Sequence, residues 1–342
     1  MPNKPPYTIT EKAADYLAKI VETATRLEYG TDFKQDIRLH RKNRVRTIHS
    51  SLAIEGNSLT LGDVTAVIEG KVVAGKHTEI KEVKNAYEAY DKIMSYNPYD
   101  VEDFLKAHKL MTQGLVKESG KFRSGDVGVF DGDVPVHIGA RPQFVPDLVK
   151  DLFDWAKESE LHPCLKSAIM HYEIETIHPF EDGNGRMGRL WQTLLLAKWN
   201  AVFAWIPMES VMFEKHPQYY AAIEAARKAN DSGAFIEFTL SAVLDAITDQ
   251  EKHQVKHEDK HQVDLTDIQI DVLKLLKGNT LSRKEIFAAI GMNGDTRSFK
   301  RHIEPLIEAR LIEMTVHDKP NSRLQKYRLT DSGKEHTRRM TQ

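Results

Sequence analysis

Twelve consecutive residues, His178-Pro179-Phe180-Glu181-Asp182-Gly183-Asn184-Gly185-Arg186-Met187-Gly188-Arg189, bring together a histidine, a carboxylate, two glycines and two arginines. Imidazole is the one side chain in the run whose ordinary pKa suits removal of a proton from a hydroxyl near pH 7. Two glycines with one asparagine between them, ahead of a helix, leave consecutive backbone N–H groups unobstructed. Such a turn is an anion nest at the positive end of a helix dipole, and phosphate is its natural occupant. Arg186 and Arg189 are three apart and can set planar forks on phosphate oxygens. Asp182 offers a hard carboxylate to a Mg²⁺ that also touches phosphates. A base, a metal ligand, a nest and two arginines describe in-line displacement at phosphorus, where the protein positions groups and neutralises charge. A bare Gly-x-Gly would read as an ordinary helix corner; the complete run does not.

The elements that must hold these groups are helical. Apolar residues recur at three-and-four spacing through most of residues 8 to 250. Ser167 to Thr176 fit a helix, and Pro179 disfavours helical geometry at the residue before it, so that helix should end near Ile177 with His178 at its mouth. Leu190, Leu194, Leu195 and Ala197 carry the next helix. Residues 127 to 138 break the pattern: an Asp-Gly turn signal between two short β-prone runs predicts a hairpin, with helix resuming at Pro146 and running to about Lys157. Upstream, Val45, Ile48 and Leu52 form a stripe on a helix that should stop at Gly56. Glu55 then lies at the negative end of a helix dipole, where a carboxylate needs a cation partner.

The twelve-residue run fills every defining position of the Fic (filamentation induced by cAMP) signature, His-x-Phe-x-Asp/Glu-Gly-Asn-Gly-Arg-x-x-Arg, and the chain resembles that family over roughly residues 35 to 245. The resemblance implies a protein adenylyltransferase that moves AMP from ATP to a protein hydroxyl. It implies His178 as the base, Asp182 as the Mg²⁺ ligand, Gly183, Asn184, Gly185, Arg186, Met187, Gly188 and Arg189 at the ATP phosphates, and Phe180 as the loop's buried anchor. The phosphorylating Doc-type branch usually departs at the glycine matching Gly185, so Gly185 favours AMP transfer. The hairpin, preceded by Gly120-Lys121-Phe122-Arg123, resembles the family's flap, which registers a target segment as an added strand. Tyr219 and Tyr220 resemble residues lining the adenine and ribose end. Ser51-Leu52-Ala53-Ile54-Glu55-Gly56 matches the inhibitory motif Ser/Thr-x-x-x-Glu-Gly/Asn, whose glutamate pairs with the second arginine, here Arg189, and obstructs productive γ-phosphate binding. The implied alternatives are removal of AMP, with Glu55 positioning water, and a DNA-binding regulator whose core senses ATP.

The chain has 342 residues, enough for two or three packed units, and its formal net charge is −2, so no global feature points to a polyanion or a membrane surface. A single cysteine, Cys164, and an N-terminus without an apolar signal segment lead to the expectation of a cytoplasmic protein. The expected divisions are an N-terminal helical region over 1–95, a catalytic core over 96–248, a polar linker over 249–263 and a winged helix over 264–342. The fold class is therefore all-α, a helical bundle with a small hairpin flap followed by a winged helix. In the linker, His253, His257 and His261 share one helical face, a spacing that suits a metal and equally a solvated polar helix. The last unit should place Arg297, Lys300 and Arg301 on its third helix, from about Thr296 to Ala309, and Lys319, Arg323 and Lys326 on its wing. Such a module serves DNA contact, protein contact or dimerisation.

Overall fold

The computed structural model describes residues 4–29, 36–131, 134–260, 265–309, 311–316, 322 and 324–339, and the chain divides into two compact units, Met1–Gln254 and Val255–Gln342. The first unit is built from α1 (Glu11–Tyr29), α2 (Ile37–Ile54), α3 (Leu61–Ile68), α4 (His77–Asp91) and α5 (Val101–Thr112). A hairpin, β1 (Gly128–Asp131) and β2 (Val134–Ile138), follows, and then α6 (Val145–Glu158), α7 (Pro163–Ile177), α8 (Asn184–Trp199), α9 (Met208–Glu214), α10 (His216–Ala229) and α11 (Gly233–Lys260).

At the centre stands α8, with every residue from Asn184 to Ala197 buried, the polar Asn184, Arg186, Arg189, Gln192 and Thr193 among them. Helix α7 packs along it. Phe104, Phe153 and Trp191 meet at ring separations of 4.9–5.8 Å and form the floor on which the loop between α7 and α8 rests. Asp36 caps α2 through the Leu39 N–H at 2.9 Å. That helix is pinned against α9 by the Ser50–Ser210 hydroxyl pair, 3.1 Å apart, and against the turn before α9 by the Arg44 guanidinium lying 4.8 Å over the Trp205 ring. Helix α2 thereby brings Ser51 and Glu55 to the start of α8.

The hairpin is antiparallel, with Gly128 opposite Ile138 and Val129 opposite His137; the register shifts before Phe130, which faces Pro135. Gly132 of the expected Asp-Gly turn lies outside the described residues. Helix α11 runs on to Lys260, so most of the polar 249–263 segment is helical. His253 and His257 fall on α11, and His261 lies outside the described residues. Among the described residues, no group of three or more His, Cys, Asp or Glu side chains is placed to hold a metal, and no helix is long and apolar enough to cross a membrane.

The second unit contains α12 (Asp267–Leu275), β3 (Leu281–Ser282), α13 (Arg283–Ala289), α14 (Thr296–His302), α15 (Glu304–Glu308), β4 (Ile312–Met314), β5 (Lys326–Leu329) and α16 (Asp331–Arg339). Val272, Leu276, Ile286, Phe287, Leu306 and Leu329 fill its core. Ser282 and Glu285 form a capping box that starts α13. Two features differ from expectation. The third helix is interrupted at Ile303, because Pro305 has no N–H to continue the ladder. The strand pair β4–β5 gains a third strand, β3, to give an antiparallel sheet in the order β3-β5-β4. Arg297, Lys300 and Arg301 are exposed on α14 and Lys326 on β5, while Lys319 and Arg323 lie outside the described residues.

Candidate active site

Helix α7 ends at Ile177, and His178 takes the left-handed conformation at φ 52° and ψ 61°. For a residue with a Cβ that geometry costs about 1–2 kcal/mol, so its neighbours must hold it. The His178 N–H donates to the Ile174 carbonyl at 3.0 Å, and its carbonyl accepts from Arg123 Nε at 2.7 Å. Its Nδ1 lies 3.4 Å from the Glu175 carbonyl; a proton there leaves the lone pair on Nε2.

The following loop is closed from within. Phe180 is fully buried and stacks on His108 at 3.6 Å between ring centroids. His108 is pushed down to about 4 by burial, so its ring is neutral, accepting from the Gly120 N–H at Nδ1 and donating from Nε2 to the Asp182 carbonyl at 3.0 Å. Asn184 accepts from the Phe180 N–H at 2.9 Å and donates to the Phe180 carbonyl at 3.0 Å. The Asn184 side chain is thus committed to the loop, and its backbone is what remains for the expected phosphate contact.

Gly183, at φ 87°, caps α8, so Asn184 and Gly185 form the first helical turn rather than a loop ahead of it. The nest is the helix N-terminus itself. A Cβ on Gly185 would collide with Glu55 Oε1 and come within 3.0 Å of Arg189 Nη1 and Glu175 Oε1, so three charged groups converge on this glycine. Arg186 is buried and bonds Asp182 Oδ2 at 2.7 Å and Glu82 Oε1 at 3.2 Å. Of the other two residues expected at ATP, Met187 has its side chain in the core, and Gly188 gives α8 room to approach His171 on α7.

Arg189 is 1% exposed, and it meets Glu55 Oε1 at 2.6 Å through Nη2, which also donates to the Ser51 carbonyl at 2.9 Å; Nε donates to the Ser51 hydroxyl at 3.1 Å. Arg189 Nη1 has no hydrogen-bond partner despite its burial. Burial opposes the guanidinium charge, yet Glu55 first, then Tyr219 and Glu175, hold its pKa above the ordinary arginine value. The cation that the helix-end position of Glu55 demands is therefore Arg189.

Tyr219 is buried, its hydroxyl 3.1 Å from His171 Nε2 and 3.3 Å from Glu175 Oε1, so it belongs to the core rather than to an adenine cleft. Tyr220, 46% exposed, keeps a face open. Burial, and then the Glu55 charge, push the Glu175 carboxyl up to about 7. The folded protein thus holds this proton to higher pH than the unfolded chain. Glu175 favours folding fully below the ordinary carboxylate range, and the contribution declines up to about pH 7 and stays lost above it. Thermal melts across that window should show the wild type losing midpoint relative to Glu175→Gln as pH rises. A constant difference between the two proteins would contradict the assignment.

Sequence reasoning did not single out His108, Glu82 or Glu175. His108, four residues after Phe104 on α5, has the spacing of an ordinary core position, and its partner lies 74 residues away. No local pattern announces such a contact.

Residues 98–196 match the Fic/DOC family, and residues 269–330 match the Fic-like C-terminal domain of filamentation induced by cAMP proteins. Protein adenylyltransferase Fic of Nematostella vectensis is 31% identical over 202 residues, 56% of this chain and 45% of that protein. Protein adenylyltransferase fic-1 of Caenorhabditis elegans is 29% identical over 201 residues, 55% of this chain and 38% of that protein. The chain spans less than half the length of these curated relatives. Among solved structures, a Fic family protein from Desulfovibrio desulfuricans G20 is 40% identical with a TM-score of 0.72, covering 96% of this chain and 99% of that one. Fic-1 from C. elegans shares the fold at 22% identity and a TM-score of 0.60, over 71% of this chain and 73% of that one.

Proposed function

This chain belongs to the Fic family, and from that membership we propose that it transfers AMP from ATP to a hydroxyl group of a protein, under restraint by Glu55. The observation that carries the reading is the convergence of His178, the open N–H groups of α8 and two buried arginines on its first turns, all within twelve residues. Triphosphate oxygens lie on the first turn of α8, with Arg186 and Arg189 neutralising charge that grows on the leaving group. The target hydroxyl oxygen bonds to the α-phosphorus, the bond from that phosphorus to the α,β-bridging oxygen breaks, and diphosphate leaves. The hydroxyl proton passes to His178 Nε2. Tyr220 offers its exposed ring to the adenine end.

Asp182 is 53% exposed at the side chain and stands at the mouth of the nest, with its Oδ1 accepting from the Gly183 N–H at 2.6 Å. A single carboxylate does not cage a cation, but it suits a Mg²⁺ that keeps waters and is held chiefly by substrate phosphates. When bound there, Mg²⁺ supplies charge neutralisation at the phosphates.

The test is to incubate Glu55→Gly protein with Mg²⁺, a host lysate and ATP labelled either at the α- or at the γ-phosphate. Protein-bound label from α-labelled ATP alone supports AMP transfer; label from γ-labelled ATP would mean phosphate transfer, and none from either would remove the reading. A second reading has one observation in its favour. Glu55 keeps 32% of its side chain exposed beside Arg189, where a carboxylate can orient water for the removal of AMP from a modified protein. Wild-type protein releasing AMP from the labelled product would establish it.

A further inference from the structure

We propose that Arg123 is a positioning residue for this reaction, one guanidinium that couples the β1–β2 hairpin to the backbone of the base. The inference rests on the AMP-transfer reading. Arg123 is 3% exposed, and its described hydrogen bonds all run to carbonyl oxygens. On one side lie the catalytic loop carbonyls, His178 at 2.7 Å from Nε and Ile177 at 3.5 Å from Nη2; the Arg123 N–H also donates to the Pro179 carbonyl at 3.0 Å. On the other side lie the two stems of the hairpin, Gly125 at 2.8 Å from Nη1 and Ala140 at Nη2. The Gly139 N–H closes the hairpin on the Val127 carbonyl at 3.1 Å, and a Cβ on Gly139 would come within 2.9 Å of Arg123 Nη2.

Only arginine carries enough donors in one rigid plane to hold all these oxygens together. Burying a cation among carbonyls is a poor way to gain stability when apolar packing would serve. What it holds is specific: the left-handed backbone of His178, a conformation that is unfavourable for a residue with a Cβ. A target segment added to the hairpin as a strand pulls on the stems at Gly125 and Ala140. Through the guanidinium, that displacement reaches the His178 carbonyl and sets the imidazole.

The test uses full-length protein in the Glu55→Gly background with Arg123→Lys and Arg123→Gln. Maximal transfer rate and KM for ATP are measured together with the thermal midpoint and the His178 imidazole signal in ¹³C-histidine-labelled protein, identified by its loss in His178→Ala. The expected result is a fall of about 30–100-fold in maximal rate, the scale of a misplacement near 1 Å, with KM for ATP changed by less than about threefold and the His178 signal shifted. A rate within about twofold of the parent with an unshifted signal would overturn the proposal. If the parent itself transfers nothing, the AMP-transfer reading falls and the imidazole signal alone decides: a shift supports the coupling, and its absence overturns it. Should Arg123→Gln fail to fold, Arg123→Lys, which keeps the cation, decides on the same readouts.

Discussion

Replacing Glu55 with glycine is expected to raise AMP transfer roughly 5–150-fold, the range produced by a competition worth about 1–3 kcal/mol. In the proposed mechanism Glu55 and the γ-phosphate compete for one partner, Arg189, whose Nη2 stands 2.6 Å from Glu55 Oε1. Removing the glutamate does not release the arginine. The Ser51 hydroxyl and carbonyl still hold Nε and Nη2, and Glu175 remains beside the site to offset its charge. Folding should tolerate the change, because a carboxylate at a helix C-terminus opposes the dipole and glycine is at home in a C-cap. Incorporation of α-labelled AMP into protein over time gives the rate; equal rates for wild type and variant would remove Glu55 as a brake. Because burial and then Glu55 raise the Glu175 pKa, the same substitution should also move the Glu175 titration toward lower pH.

Removing the imidazole of His178 from the Glu55→Gly protein is expected to lower transfer by about 10²–10⁴-fold, the usual contribution of a positioned base. ATP should still bind, since Arg186, Arg189 and the N–H groups of α8 do not depend on it. The choice of replacement matters. At φ 52° an alanine is strained by about 1–2 kcal/mol, whereas asparagine tolerates the left-handed region. His178→Asn should therefore match His178→Ala in lost activity and exceed it in thermal midpoint. Residual labelling near the parent rate in either variant would mean that another group takes the proton.

The parts of the site legible in the sequence were those with local causes. Gly56 ends α2 and strands Glu55 on a negative dipole end, a position that calls for a cation, and Arg189 is the cation that meets it. Pro179 stops α7 and puts His178 at its mouth. The side chains of a consecutive run do not all face one way. Successive helical residues differ in direction by about 100°, so Arg186 and Arg189 share a face while Met187 and Gly188 between them do not. The adjacent Tyr219 and Tyr220 divide in the same manner, one into the core and one to the surface. Asn184 has a task that sequence spacing does not show: its amide closes the backbone of Phe180, four residues back. The bonds from Arg123 to His178 and from His108 to Asp182 cross 55 and 74 residues of chain, and only the folded bundle brings them together. In the second unit, the two-residue strand β3 exists because β5 offers it an edge.

The competition between Glu55 and the γ-phosphate for Arg189 is tested most directly by comparing ATP with ADP in calorimetric titrations of two inactive proteins, His178→Ala and His178→Ala/Glu55→Gly. With Glu55 in place, Arg189 is occupied and the γ-phosphate gains nothing from it, so the two nucleotides should bind with similar affinity. Without Glu55, ATP should gain over ADP by about tenfold or more, as expected when one charged hydrogen-bonded contact of about 1.5–3 kcal/mol becomes available. The same ATP-to-ADP ratio in both proteins would contradict the competition.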